Sequence, residues 1–318
     1  MATSNESNEI RITRVYDAPV SAVWDAWTVP EQVAAWWGPR GFTLTSHSRD
    51  VRTGGSWHFT MHGPDGVDYP NVIQYLVVEP RQKLVYDHGS ADGAPPLFRV
   101  TVTFREVQGW TTLEITSTWP SAEAAREAVK FIKYAGGNTT WDRLAEHLRE
   151  RSTGAQIFVI HRSFEAPIDR VFAMWTSPDH LAQWLPPPGM TMRFLRADIG
   201  PGKSAFFAME GAQGILHARF DYRTVEAPSR IVYTQQFVDE NEKLAPAPGV
   251  DAWPPALRTT VAFAPEGPHR TRVTVTTEPD GEATAAELNG FVGERSGMTL
   301  GWTASFDALD ERLGSGAA

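Results

Sequence analysis

The chain repeats itself at an offset of about half its length. Val15-Tyr16-Asp17-Ala18-Pro19 returns as Ser163-Phe164-Glu165-Ala166-Pro167, which moves Pro19 onto Pro167, 148 residues later. The same offset matches identical residues of several types: Trp27 with Trp175, Pro30 with Pro178, Trp36 with Trp184, Pro39 with Pro187, Gly41 with Gly189, Asp50 with Asp198 and Gly54 with Gly202. Solenoid repeats run about 20–50 residues, so a period this long indicates a duplicated domain.

The repeat divides the 318 residues into two domains of ordinary size. We expect the first domain at 8–151 and the second at 155–315, joined at Ser152-Thr153-Gly154. Because this join is too short for a flexible tether, we expect the two copies to lie side by side as an intramolecular pseudo-dimer. The offset reaches 165 between Leu144 and Leu309, which places insertions in the second copy.

Each copy shows the element order of an α+β domain. An alternating run at 10–15 or 157–160 predicts a strand, and two short helices, about six further strands and a long amphipathic helix follow. Such a helix can cover the apolar face of an antiparallel sheet. Thr284 and Glu287 have the capping-box spacing for the second long helix. Gly136-Gly137 predicts a kink or a two-piece helix in the first copy.

Composition narrows the class of protein and of partner. The chain has no cysteine, which excludes disulfides, thiolate metal sites and cysteine nucleophiles. It carries 29 Lys plus Arg against 38 Asp plus Glu, a formal net charge of −9, so nucleic acid and anionic membranes are not expected as partners. A polar start and the lack of a long apolar run predict a cytoplasmic protein.

Several motifs resemble a known family. They are Trp27, Pro30, Glu31 and Trp36-Trp37-Gly38-Pro39, then Gly41-Phe42, Asp50-Val51-Arg52-Thr53-Gly54-Gly55 and Gly63-Pro64-Asp65-Gly66, with Gly297-Met298-Thr299-Leu300-Gly301-Trp302 and Phe306-Asp307-Ala308-Leu309 in the second copy. They resemble the homologues of the activator of the ninety-kilodalton heat-shock protein's ATPase, within the START-like superfamily, also called SRPBCC or birch-pollen-allergen-like. The resemblance covers nearly the whole chain.

The resemblance implies a helix-grip fold, in which a curved antiparallel sheet wraps a long C-terminal helix and leaves a cavity between them. The two copies depart from the family in different ways. Leu185 stands in the second copy where the first has Trp37, and Gly137 aligns with Trp302. These departures predict that the two cavities differ in what they bind.

Strand alternation selects the polar residues that face the sheet interior. In the first copy these are Ser46, Ser48, Asp50, Asn71, Tyr75 and His88, and in the second copy they are Arg196, Asp198, Tyr222, Tyr233 and Gln235. The predicted ligand-binding set takes five of these together with apolar and aromatic neighbours: Trp57, Phe59, Met61, Asn71, Tyr75, Tyr86, Trp119, Arg196, Phe207, Met209, Tyr222, Tyr233, Met298 and Trp302. An apolar cavity with a few polar groups is the usual composition of a small-molecule site.

His88 is the candidate for acid–base chemistry, because its reference pKa lies near neutrality. A hydrogen-bonded structural histidine is the alternative. Arg196 and Asp198 could form an ion pair near the cavity mouth. Trp57, Trp119, Trp253 and Trp302 have no match in the other copy and are expected to distinguish the two cavities.

The remaining motifs favour structural interpretations. Asp50 to Gly55 precedes a strand rather than a helix, so it predicts a hairpin turn and not a phosphate loop. Trp36-Trp37 is either a plug for the end of the sheet, which we favour, or a partner-binding patch. His58 and His62 lie on a strand with outward parity, so no metal site and no cofactor are expected.

An insertion at 239–256 is peculiar to the second copy and is rich in Pro, Ala and acidic residues. It is either a lid anchored by Trp253 or a disordered loop. The expected function is binding of a small apolar or aromatic ligand in one or both domains. The alternatives are an enzyme of the polyketide cyclase or aromatase type and a co-chaperone with a chaperone partner.

Overall fold

The computed structural model describes residues 7–89, 93–134, 139–212 and 214–314. It separates into two compact units, residues 1–154 and 155–318. The predicted break at Gly136-Gly137 lies outside the described residues. Each unit is an antiparallel sheet of seven strands with helices, so the predicted α+β class and the tandem helix-grip architecture are confirmed.

The first unit follows the predicted order of one strand, two short helices, six strands and C-terminal helices. Its elements are β1 (Glu9–Tyr16), α1 (Val20–Thr28), α2 (Pro30–Trp36), β2 (Thr43–Arg49), β3 (Ser56–His62), β4 (Asp68–Glu79), β5 (Lys83–Gly89), β6 (Phe98–Val107), β7 (Trp110–Thr118), α3 (Ala122–Tyr134) and α4 (Thr139–Thr153).

The second unit repeats that order. Its elements are β8 (Phe158–Phe164), α5 (Ile168–Thr176), α6 (Pro178–Trp184), β9 (Thr191–Ala197), β10 (Ser204–Gly211), β11 (Gly214–Glu226), β12 (Arg230–Val238), β13 (Leu257–Gly267), β14 (Arg270–Pro279), α7 (Ala285–Gly293) and α8 (Arg295–Gly314).

The two sheets have the same topology. The strand order is β1-β7-β6-β5-β4-β3-β2 in the first and β8-β14-β13-β12-β11-β10-β9 in the second, so each first strand joins the last one and β2 or β9 forms an edge. Apolar side chains alternate along the strands and form one core per unit against the helices. The core of each unit therefore lies between the inner face of its sheet and its helices.

The short helices are set by proline and tryptophan. Pro30 and Pro178 occupy the first turn of α2 and α6, where a missing N–H costs nothing. The indole of Trp36 is fully buried and donates from Nε1 to the carbonyl of Ala26 at 2.9 Å. Trp184 does the same to Met174 at 2.9 Å. The first tryptophan of the Trp-Trp pair is thus a core residue, as the favoured interpretation predicted.

Helix α4 is tied to the loop after α2 by Arg143. Its guanidinium donates to four backbone carbonyls, those of Ala35, Gly38, Pro39 and Phe42, at 2.9–3.2 Å. Burial lowers the pKa of Arg143 to about 10. The loop that resembles the family motif therefore holds the long helix in place.

The C-terminal segment of the second unit is two helices rather than one. Thr284 and Glu287 form the predicted capping box at the start of α7, and α7 ends before Glu294. The 239–256 insertion meets α7 in this region: the Trp253 and Phe291 rings lie 5.8 Å apart, and Gly290 is so near Ala252 that an added Cβ would lie 1.9 Å from its carbonyl oxygen. Trp253 anchors the insertion, and a lid role stays a prediction.

Candidate functional site

The inner face of the first sheet carries a continuous row of side chains. Register pairs Trp57 with Ile73, Ile73 with His88, and His88 with Phe98, across four neighbouring strands. Asn71 pairs with Phe59 on the same face. Strand alternation therefore placed Asn71, Tyr75 and His88 on the correct face.

Asn71 and His88 form a polar pair at this end of the sheet. Asn71 Nδ2 donates to the carbonyl of Tyr69 at 2.7 Å, which turns Oδ1 toward His88 Nε2 at 2.8 Å. The imidazole therefore carries its proton on Nε2, and Nδ1 keeps its lone pair. Among the described residues Nδ1 has no hydrogen-bond partner. Burial lowers the pKa of His88 to about 4, so the ring is neutral at neutral pH.

Aromatic rings surround the pair. The His88 ring stacks on Phe98 with centroids 4.8 Å apart, Phe98 stacks on Trp119 at 4.3 Å, and Phe59 meets His88 edge-on at 6.3 Å. Asn71, His88, Phe98 and Trp119 are all partly exposed, whereas Phe59 is buried. We call these five residues the aromatic cleft. The cleft therefore presents one neutral histidine among flat apolar rings.

Large aromatic side chains pack the interior next to the cleft. The Trp57 ring stacks on Phe59 at 4.0 Å, and Trp37 meets Trp57 at 5.3 Å. Tyr75 and Tyr86 are buried with ring centroids 6.2 Å apart, and burial raises the pKa of both. Met61 is partly buried against this core. Trp37 is thus an interior ring that occupies space between α2 and the sheet.

Arg49 is an inner-face residue that strand alternation did not find. A register shift in β2 leaves His47 unpaired, so Ser48 pairs with His58 and Arg49 with Trp57. Beyond the shift, alternation was wrong for Ser48 and Asp50, which are exposed. The bulge turns Arg49 inward instead. The sequence of β2 carries no pattern that marks a bulge.

The second domain places its predicted residues unequally. Phe207, Tyr222 and Tyr233 lie in the core, with Met209 partly buried against it. Arg196 does not, because a register shift at Leu195 pairs Arg196 with Phe206. The next residue, Phe207, faces the core, so Phe206 and its partner Arg196 face outward. The inward prediction for Arg196 was therefore wrong.

The predicted partner of Arg196 was also wrong. Its guanidinium donates to Glu242 at 2.6 and 2.8 Å and to Ser204 at 3.0 Å, and no described hydrogen bond joins it to Asp198. Glu242 belongs to the insertion, so this ion pair holds the loop to the outer face of the sheet.

A small cavity lies inside the second domain. Its volume is about 10 Å³, room for about one water molecule. The lining residues are Trp175, Leu181, Leu185, Phe220, Tyr222, Ile231 and Tyr233. Leu185 stands where the first domain has Trp37, and Ala205 stands where it has Trp57. Leu185 lines the cavity, and its smaller side chain in place of an indole accounts for space there.

Trp302 has a structural counterpart in the first domain after all. It stacks on Trp175 with centroids 5.8 Å apart and a plane angle of 19°, while Trp141 stacks on Trp27 at 5.9 Å and 18°. Because Trp27 and Trp175 are equivalent, Trp141 and not Gly137 matches Trp302. Trp302 is therefore a shared scaffold residue, and it and Met298 pack against the second core.

The aromatic cleft has no equivalent in the second domain. Register there puts Ala218 opposite Phe207, Gln235 opposite Phe220, and Leu257 opposite Gln235. These positions correspond to Asn71, His88 and Phe98. Pro279, opposite Leu257, takes the place of Trp119. The cleft is thus a feature of one copy and is not required by the fold.

The described residues contain no cluster of three or more His, Asp or Glu side chains placed to hold a metal ion. No helix in that part of the chain has the length and apolar character of a membrane span.

Comparison with known proteins agrees with the duplicated fold. The model of the family described as activator of Hsp90 ATPase homolog 1-like protein matches residues 17–149 and again residues 165–314. The chain belongs to this family. In this family member, two matched copies account for most of the sequence. A search of curated proteins finds no match.

Several solved structures similar to this family member each cover about half of the chain. Protein Ms6760 from Mycobacterium smegmatis is 27% identical, covers 46% of this chain and 93% of its own, with a TM-score of 0.42. A protein from Staphylococcus epidermidis is 29% identical and covers 48% and 95%, also at 0.42. DynU16, from the dynemicin biosynthetic locus, is 20% identical and covers 96% and 99%, at 0.33.

Proposed function

We propose that the chain binds a small, planar, apolar or aromatic molecule, and that the first domain provides the site. The aromatic cleft combines stacked rings that are partly exposed with one polar pair. Small-molecule sites commonly have this composition, in which apolar walls supply contact area and a few polar groups fix orientation. A flat ring system would extend the stack that runs from His88 through Phe98 to Trp119.

The observation that carries the proposal is the difference between the two copies. At four of the five cleft positions the second domain has Ala218, Gln235, Leu257 and Pro279, which can neither form the polar pair nor continue the aromatic stack; only Phe59 has an aromatic counterpart, Phe207. Since both domains fold on the same framework, stability alone does not require the cleft. The second domain's cavity of about 10 Å³ is far smaller than the roughly 300–1,000 Å³ of ordinary ligand pockets.

Binding is tested with N-phenyl-1-naphthylamine, a neutral planar probe that fluoresces in apolar surroundings. The expected result is saturable binding by the full chain that weakens at least fivefold in Trp119→Ala. Trp110→Ala is the matched control, because Trp110 is 49% exposed and lies outside the cleft. Absence of saturable binding, or equal weakening in both variants, contradicts the proposal. Native mass spectrometry of the purified chain reports any ligand already bound.

Catalysis at His88 is a second candidate function. The hydrogen bond from Nε2 to Asn71 orients the ring, and the neutral Nδ1 can accept a proton from an activated carbon acid, the first step of a cyclase-type reaction. Its pKa of about 4 makes it a weak base, so a substrate with a strongly acidic C–H group is required. NMR in D₂O measures this activity as the rate at which the acidic C–H proton of a 1,3-diketone exchanges for deuterium. Exchange at the buffer rate, or equal exchange in His88→Gln, excludes it. The family description refers to an activator of the Hsp90 ATPase, so stimulation of that ATPase by the chain is measured in parallel.

A further inference from the structure

Arg49 is the last residue of β2, and its side chain faces the interior of the first domain. Its Nη2 donates to the carbonyl of Trp27 at 2.5 Å, and its guanidinium carbon lies 4.3 Å from the centre of the Trp57 ring. Burial raises the pKa of Tyr75, and Arg49 opposes this through its positive charge and through a side-chain interaction with the Tyr75 hydroxyl. The guanidinium thus lies among an indole face, a phenol and one backbone carbonyl.

Two of its three nitrogens make no hydrogen bond within the part of the chain that the structure describes. Nε and Nη1 are buried from solvent and have no hydrogen-bond acceptor among the described residues. No described carboxylate forms an ion pair with Arg49 either. By contrast, Arg40 in the same domain forms a bidentate pair with Glu146 at 2.8 and 3.0 Å. A buried cation without a counter-charge is unfavourable, because burial removes water without replacing its hydrogen bonds.

The fold itself does not require this arrangement. The second domain has Ala197 at the position of Arg49, and Ala197 pairs with Ala205 as Arg49 pairs with Trp57. Arg49 does receive some stabilisation from the Trp27 carbonyl, since the C-terminal end of α1 is the negative end of the helix dipole. That contact uses Nη2 and leaves the other two nitrogens unsatisfied.

We propose that Arg49 binds a carboxylate on the ligand of the first domain, so that the ligand class is an aromatic or planar apolar carboxylic acid. This inference rests on the proposed function. A guanidinium presents planar N–H donors that match a carboxylate, and the Tyr75 hydroxyl beside it is a further donor. Arg49 supplies the counter-charge, and the neighbouring indole favours a flat ring system.

The test compares 2-naphthoate with 2-naphthamide, which share a ring system and differ in charge. Their affinities for the full chain are measured by displacement of N-phenyl-1-naphthylamine and directly by calorimetry. We expect naphthoate to bind at least tenfold more tightly than naphthamide. In Arg49→Met this ratio should fall to within twofold of one. Arg52→Met removes the same charge from an exposed residue and should leave the ratio unchanged.

The outcomes separate this inference from the proposed function. If the neutral probe binds but the naphthoate preference is absent, or persists in Arg49→Met, the Arg49 assignment is wrong and the proposed function stands. If neither the probe nor the two naphthalene compounds bind, both are wrong. Should Arg49→Met fail to fold, Arg49→Lys keeps the charge without the planar fork. It should lower the ratio at least threefold, and an unchanged ratio overturns the assignment.

Discussion

Replacing His88 with glutamine should change how the stability of the first domain depends on pH. Gln235 occupies the equivalent position in the second domain, so the substitution is compatible with the fold. Burial lowers the pKa of His88 from 6.5 to about 4. Each pKa unit corresponds to about 1.4 kcal/mol, so the full shift is worth about 3 kcal/mol. This is an upper bound, because His88 is partly exposed to solvent.

The direction follows from which state takes up the proton. Below pH 6.5 the unfolded chain protonates His88 while the folded domain does not, so acid favours unfolding until the pH falls below about 4. Above pH 7 the ring is neutral in both states and contributes no pH dependence. The free energy of unfolding of the wild type relative to His88→Gln should therefore fall by about 2–3 kcal/mol between pH 7 and pH 4.5.

Urea unfolding at several pH values, followed by tryptophan fluorescence and fitted to two transitions, measures this difference. His147 and Asp142 also have shifted pKa values, but they are present in both proteins, and their contributions cancel in the comparison. A difference that stays constant within about 0.5 kcal/mol would refute the account, because His88 would then titrate as a solvated histidine.

Two further predictions concern the frameworks of the two domains. Gly290→Ala should destabilise the second domain by about 1–3 kcal/mol and speed proteolysis at the loop that carries Ala252, because the new Cβ would meet that carbonyl at 1.9 Å. Gly293→Ala, with no atom within 4 Å, is the control, and equal effects of the two substitutions contradict the contact. Arg143→Met should cost about 3 kcal/mol in the unfolding free energy of the first domain, since four carbonyl partners are lost. Urea unfolding measures this loss, with Arg151→Met at an exposed position as the control. A cost below about 1 kcal/mol would show that the loop keeps its contact with α4 without the Arg143 hydrogen bonds.

Sequence reasoning succeeded where local pattern decides structure. The offset from Trp27 to Trp175 identified two copies, and alternation along two neighbouring strands put Asn71 and His88 on one face, where they meet at 2.8 Å. It failed at the edge strands, where one extra residue reverses the face of everything beyond it. That reversal hid Arg49 and wrongly turned Arg196 inward, because a bulge depends on pairing with a neighbouring strand.

Two other features depend on tertiary packing. Counting residues paired Trp302 with Gly137, whereas the Trp302 ring stacks on Trp175 as the Trp141 ring stacks on Trp27. Side chains from different turns of the two helices fill the same place, which a residue count does not reveal. The cavity next to Leu185 is also invisible in a pattern of apolar residues, because free volume depends on how rings fill the space between α6 and the sheet.

The central claim is that the aromatic cleft, and not the shared framework, binds the ligand. The most direct measurement is the affinity of N-phenyl-1-naphthylamine for a variant with Asn71→Ala, His88→Gln and Phe98→Leu, which installs the residues that the second domain has at these positions. The account predicts a folded protein that binds the probe at least tenfold more weakly than the wild type. Undiminished affinity in that folded variant would contradict it.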